Sequence, residues 1–173
     1  MKKQTTIILI VAINIILIGS IVTLYFTVWR PSQEGEEGYL TITGLEENIK
    51  LSIDDLRSLP NTSGEYIIQG NPTFTANYTG ISLYYLVTEV ADITTDVSVK
   101  VKAIDNYVYT LTLDELNTTR EIIIAFWKNG QLLKSGSEGG NGPLRLIIPQ
   151  RFPGDFNGQF CVKYVTILEI VSI

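Results

Sequence analysis

From Ile7 to Trp29 the chain runs for roughly 23 residues without a charge, most of them Ile, Leu and Val. At about 1.5 Å per residue, a helix of that length crosses a hydrocarbon core ~30 Å thick. Asn14 is its one strongly polar member; it either bonds locally or marks a helix–helix contact. Tyr25 and Trp29 stand where an interfacial aromatic belt belongs. Lys2 and Lys3 precede the run, whereas Glu34, Glu36 and Glu37 follow it and only Arg30 is positive on the far side. That bias places the N-terminus in the cytoplasm and the rest outside. A cleaved signal peptide is the alternative, but the run exceeds the usual 7–15-residue apolar region and no small-x-small site ends it. The expectation is a single-pass cell-membrane protein: residues 1–30 as cytoplasmic tip and transmembrane anchor, 31–37 as linker, and 38–173 as an extracytoplasmic domain. Sequons at Asn61, Asn77 and Asn117 agree with an outside location.

What the chain lacks narrows its chemistry. It has no histidine, which removes Ser-His and Cys-His nucleophile pairs, imidazole metal sites and the usual base near neutrality. Cys161 is the only cysteine, so an internal disulfide and a cysteine-cluster zinc site are both excluded. A net charge of -5 repels phosphate backbones, so nucleic acid is not an expected partner. The partners left are the membrane, a small anionic ligand and another envelope protein.

Residues 31–37 (PSQEGEE) are polar and acidic, as a linker requires. Beyond them the chain alternates strand and turn signals. Tyr39–Thr43 and Ile49–Ser52 read as a β-hairpin, after which Ser52 caps a short helix with Asp54 and Asp55 in its first turn. Glu65–Gln69 reads as a strand and Gly70–Asn77 as a loop. Over Ile81–Val90, Leu83, Leu86, Val87 and Val90 recur at helical spacing. Val97–Ala103 and Tyr107–Leu111 pair across Asp105-Asn106. Thr112 with Glu115 forms a capping box. Glu121–Trp127 suits a central strand, turned back by Asn129-Gly130 into Gln131-Leu132-Leu133. A glycine-rich loop covers Ser135–Gly142, and Leu144–Pro149 and Val162–Ile173 are the last strands. The fold class is α+β: a transmembrane helix, then a β-rich domain with two or three short helices.

The order of these features resembles the sulfite-oxidase-type molybdopterin-binding domain. Gly142-Pro143-Leu144-Arg145-Leu146-Ile147-Ile148-Pro149 and Val162-Lys163-Tyr164-Val165 are similar to its close. Leu51–Pro60, Tyr78–Leu83 and Ala103–Tyr107 resemble its earlier segments in the same order, so the likeness covers about 38–173. In that family a "C-x-G-N" segment gives a cysteine thiolate to molybdenum, a soft ligand suited to the metal. Here the segment is Ile68-Gln69-Gly70-Asn71, with isoleucine at the ligand position. The family's "H-G-x-P-x-R" has a cofactor-contacting histidine five residues before its arginine; Arg145 matches the arginine and Gly140 stands for the histidine.

The resemblance therefore implies cofactor-binding positions at Gly70, Asn71, Arg145 and Lys163, but neither a metal ligand nor a catalytic residue. It makes the domain a non-catalytic binder with no cofactor expected. The alternative is a molybdopterin-dependent oxidoreductase of sulfite oxidase or sulfoxide reductase type, holding its cofactor without a cysteine. A carbohydrate- or protein-binding sandwich outside the family is the third reading. Cys161, just before the last strand, reads as a small core thiol.

Overall fold

The computed structural model describes residues 35–173, together with Asn14 and Ser20, both helical. The rest of the 7–29 run and most of the expected linker lie outside the described residues. Among the described residues, no helix is long and apolar enough to cross a membrane. The chain divides into two compact units, Met1–Gln33 and Glu34–Ile173. The second unit holds the β-rich domain.

Among the described residues, ten strands form two five-stranded sheets. In the first, the order is β2 (Ile49–Ser52), β1 (Tyr39–Thr43), β10 (Val165–Ser172), β5 (Val97–Ala103) and β6 (Val108–Thr112). In the second, β3 (Thr62–Ile68), β4 (Phe74–Ser82), β7 (Ile123–Lys128) and β8 (Gln131–Leu132) follow one another, and β9 (Arg145–Ile147) also pairs with β7. Apart from the parallel β1–β10 pair, the ladders are antiparallel. Both sheets feed one hydrophobic core. Leu40, Val99 and Leu168 reach it from the first, and Tyr78, Ile124 and Leu146 from the second.

The local chemistry explains most of these elements. On β5 alternate residues are buried, the mark of a strand with one face on the core. Strand β7 is buried at four successive positions, Ile123–Phe126, because it has neighbours on both edges and packing on both faces. Ser52 and Thr112 cap the helices Ile53–Ser58 and Leu113–Leu116, each through a complete capping box with Asp55 and Glu115. Asn129 and Gly130 both take positive φ, as the tight β7–β8 turn requires.

Three sequence expectations change here. The segment Gly70–Asn77 is a loop only to Thr73; Phe74 opens β4, which runs to Ser82. The helix expected over Ile81–Val90 begins at Leu83, capped by the Ser82 hydroxyl, and its second half, Leu86–Val90, is π-helical. The apolar spacing still buries Leu83, Leu86 and Val87. Gly35–Glu37, read as the end of a linker, already lies on the domain: Glu36 pairs with Lys50, and the Gly136 N–H donates to Glu37.

Candidate functional site

The site the sequence points to is assembled where the end of β3, the end of β9 and the turn Asn157–Gln159 meet. Asn157 is fully buried and joins all three. Its Nδ2 donates to the Ile67 carbonyl at 2.9 Å and to the Ile148 carbonyl at 2.7 Å, while its Oδ1 accepts from the Gln69 N–H at 2.8 Å. Segments 67–69 and 145–148 therefore adjoin. Gly158 completes the junction: a Cβ built there would meet the Gln69 carbonyl oxygen at 2.6 Å. Only glycine lets this turn close on the strand.

Ile68 points into the core and is 2% exposed. Gly70 and Asn71 form the bend just beyond it, with Asn71 exposed. Arg145 is buried on β9 at 4% exposure. Its Nη1 faces the Tyr78 hydroxyl at 3.5 Å, and its Nε has no hydrogen-bond partner among the described residues. It forms no ion pair among the described residues. Burial pushes the Tyr78 hydroxyl up, against the opposing charge of Arg145. Lys163 lies on the surface just before β10. The structure thus brings Ile68, Gly70 and the Arg145 strand together, and leaves the Asn71 and Lys163 side chains facing solvent.

Cys161 lies beside the Ile148 backbone, its Sγ 3.5 Å from the nitrogen and 3.9 Å from the oxygen. Burial raises its thiol pKa, opposed by the Ile148 N–H and Arg145. It is a packed thiol with a hydrogen-bonding use, not an available thiolate.

Gly140, at the histidine position, is closed to side chains. A Cβ there would meet the Lys134 carbonyl oxygen at 2.1 Å. The Tyr164 hydroxyl holds this loop by donating to the Gly140 carbonyl at 3.0 Å. The loop's amides are also committed: those of Gly139, Gly140 and Gly142 reach Gly136, Ser135 and Lys134 carbonyls, and that of Ser135 reaches Glu138. They do not form a phosphate cradle.

The donor set accordingly does not fit the metal centre of a sulfite-oxidase-type site. Ile68 has no lone pair to offer, Cys161 is engaged elsewhere, and no imidazole fits at position 140. The only local signal for the Asn157 junction is an Asn-Gly pair, which reads as a turn. Tyr78 was legible only as an element of the resembling segment.

The architecture defines the class: a β-rich domain of sulfite-oxidase type with a few short helices. Sulfane dehydrogenase SoxCD from Paracoccus pantotrophus is similar at 18% identity and a TM-score of 0.56, over 77% of this chain and 38% of that one. The chain thus spans well under half the length of that relative. No curated protein is a significant match. The model of the oxidoreductase molybdopterin binding domain matches residues 28–172, so the chain belongs to that family.

Proposed function

We propose that the domain is a non-catalytic member of its family. It binds a ligand or a protein partner on the outside of a cell membrane, tethered by the apolar segment at residues 7–29. One observation carries the first part. The position that supplies a metal-binding thiolate in the family is Ile68, buried to 2% and packed into the core beside the Asn157–Gly158 turn. An isoleucine donates nothing to a metal and places an apolar branch where the coordination sphere would lie. The location rests on the charge bias around residues 7–29.

One observation favours a second reading. Among the described residues Arg145 is buried without a carboxylate partner, and a buried cation lacking an anion is costly. An anionic cofactor such as molybdopterin would supply that charge, with the metal held by the cofactor's own sulfurs. The domain would then be an oxidoreductase of sulfite oxidase or sulfoxide reductase type.

Sulfite oxidation and sulfoxide reduction, assayed on wild-type and Ile68→Cys protein from a molybdopterin-producing host, separate the two readings. Both proteins are expected to be inactive. Turnover by the wild type would move the assignment to the oxidoreductase. Location is tested by protease added to intact cells, which should remove the domain. Cleavage only after lysis would reverse the topology.

A further inference from the structure

The two sheets part between their open edges, β3 and β6, leaving a cleft of about 720 Å³. That volume lies within the range of small-molecule sites. Its floor is core: Leu111, Ile122 and Ile148 are each no more than 5% exposed, yet all three line it. Tyr109, Phe152 and Phe160 make aromatic walls, the rings of Tyr109 and Phe160 standing 5.1 Å apart. At the mouth Ile67 and Phe152 are 41% and 60% exposed, a large apolar surface left uncovered. None of Gly70, Asn71, Arg145 and Lys163 lines the cleft.

Counting Asp155, which pairs with Arg151, the formal charges at the cleft balance, but their hydrogen-bonding groups are not equally committed. Glu115 lines the cleft, but its carboxylate closes the capping box, accepting from the Thr112 N–H at 2.8 Å and from its hydroxyl at 3.1 Å. Arg151 is held by Asp155 through two hydrogen bonds, at 2.8 and 2.9 Å. That pairing holds the Asp155 carboxyl below the usual range. Arg120 has neither an ion pair nor a side-chain hydrogen bond among the described residues, so its guanidinium is the uncommitted donor group at the rim. An apolar, aromatic-walled cleft with one free guanidinium selects an apolar body that ends in an anion.

We infer that the cleft between β3 and β6 binds a small aromatic or aliphatic carboxylate, with its apolar body on Leu111, Ile122 and Ile148 and its carboxylate on Arg120. This deepens the reading of the domain as a binder and rests on it. The occupant is a free small acid rather than a membrane lipid, because the cleft closes on a core floor of limited volume.

The test uses the full chain in lipid nanodiscs, with empty nanodiscs as blank, titrated calorimetrically with 2-naphthoate. The neutral 2-naphthylmethanol and phosphatidylcholine vesicles are run beside it. Saturable 1:1 binding of the acid is expected. Arg120→Gln should weaken it about tenfold, the worth of one charge-assisted hydrogen bond. Ile67→Trp, which fills the mouth from an exposed position, should abolish it without changing the melting temperature. Lys134→Gln, outside the cleft, should bind like the wild type. The inference fails if the wild type shows no saturable binding, if the alcohol or Arg120→Gln binds as tightly, or if only vesicles bind. Such a failure leaves the non-catalytic reading standing, because that reading falls only on redox turnover or bound molybdenum.

Discussion

Replacing Asn157 with alanine should loosen the junction that fixes the β3 end. The side chain is fully buried and makes three hydrogen bonds to backbone groups of Ile67, Gln69 and Ile148. Truncation strands all three. The Ile67 and Gln69 groups are only partly buried, so water recovers part of their loss; the Ile148 carbonyl is buried and forfeits more. At about 1 kcal/mol for each of the first two and about 2 for the third, the loss is about 4 kcal/mol. That is a large share of the roughly 5–15 kcal/mol typical of a domain, and should lower Tm by about 10–15 °C. Urea titration followed by near-ultraviolet circular dichroism measures it. Asn157→Asp is the sharper control, since it keeps the shape but turns an acceptor toward two carbonyls. Its carboxyl would have a folded pKa above the unfolded value of about 3.9. Its penalty should therefore be smallest below about pH 4 and grow as pH rises through the folded value. A loss under about 1 kcal/mol for Asn157→Ala would refute the account of the junction.

Arg145→Met removes a buried, incompletely bonded cation, and should leave urea stability unchanged or raise it by about 1–2 kcal/mol. A loss beyond about 2 kcal/mol would show that the guanidinium has a partner the account omits. Gly140→Ala should destabilise the domain by about 1–3 kcal/mol in the same assay, the usual cost of overpacking, because the added Cβ meets the Lys134 carbonyl. Wild-type stability would contradict the closure of that position and reopen it to a histidine. The Glu169 carboxyl is held below its ordinary range by a 2.7 Å ion pair and hydrogen bond with Lys102, with Lys100 adding to it. Its contribution is present above the ordinary glutamate range and is lost as pH falls through the lowered value. Because the pair is part exposed, Glu169→Gln should cost under about 1 kcal/mol at pH 7 and flatten the acid limb of the urea-midpoint curve. An unchanged acid limb would sink that assignment.

The elements with strong local chemistry are legible in the sequence. The Tyr39–Ser52 hairpin, the Ser52 helix cap, the Thr112–Glu115 capping box, β5 and the Asn129-Gly130 turn stand where their residues place them, because each is decided by a few neighbouring side chains. No part of strand β4 is legible as a strand. Phe74, Ala76 and Tyr78 do alternate inward, but Ala76 and Asn77 are weak strand formers and the preceding Gly70-Asn71-Pro72 extends the loop signal forward. Ile81 and Ser82 carry helical spacing yet end a strand, since pairing with Ile124 and Ile123 outweighs local periodicity. At the site, sequence could show that a thiolate and an imidazole were missing. It could not show that position 140 is sterically shut, that Arg145 has no counter-ion among the described residues, or that Asn157 ties three segments together. Those are contacts between residues up to 90 positions apart, and no local pattern encodes them. The cleft between β3 and β6 was equally hidden, because it exists only where two separate sheets diverge.

The central claim is that the family's metal centre is not built in this chain. Molybdenum and pterin should be quantified in protein isolated from its own host, so that cofactor supply is not limiting. The Ile68 and Gly140 geometry predicts molybdenum far below one equivalent, with no oxidised-pterin fluorescence released on denaturation. Close to one equivalent of molybdenum, with pterin in the same ratio, would contradict it.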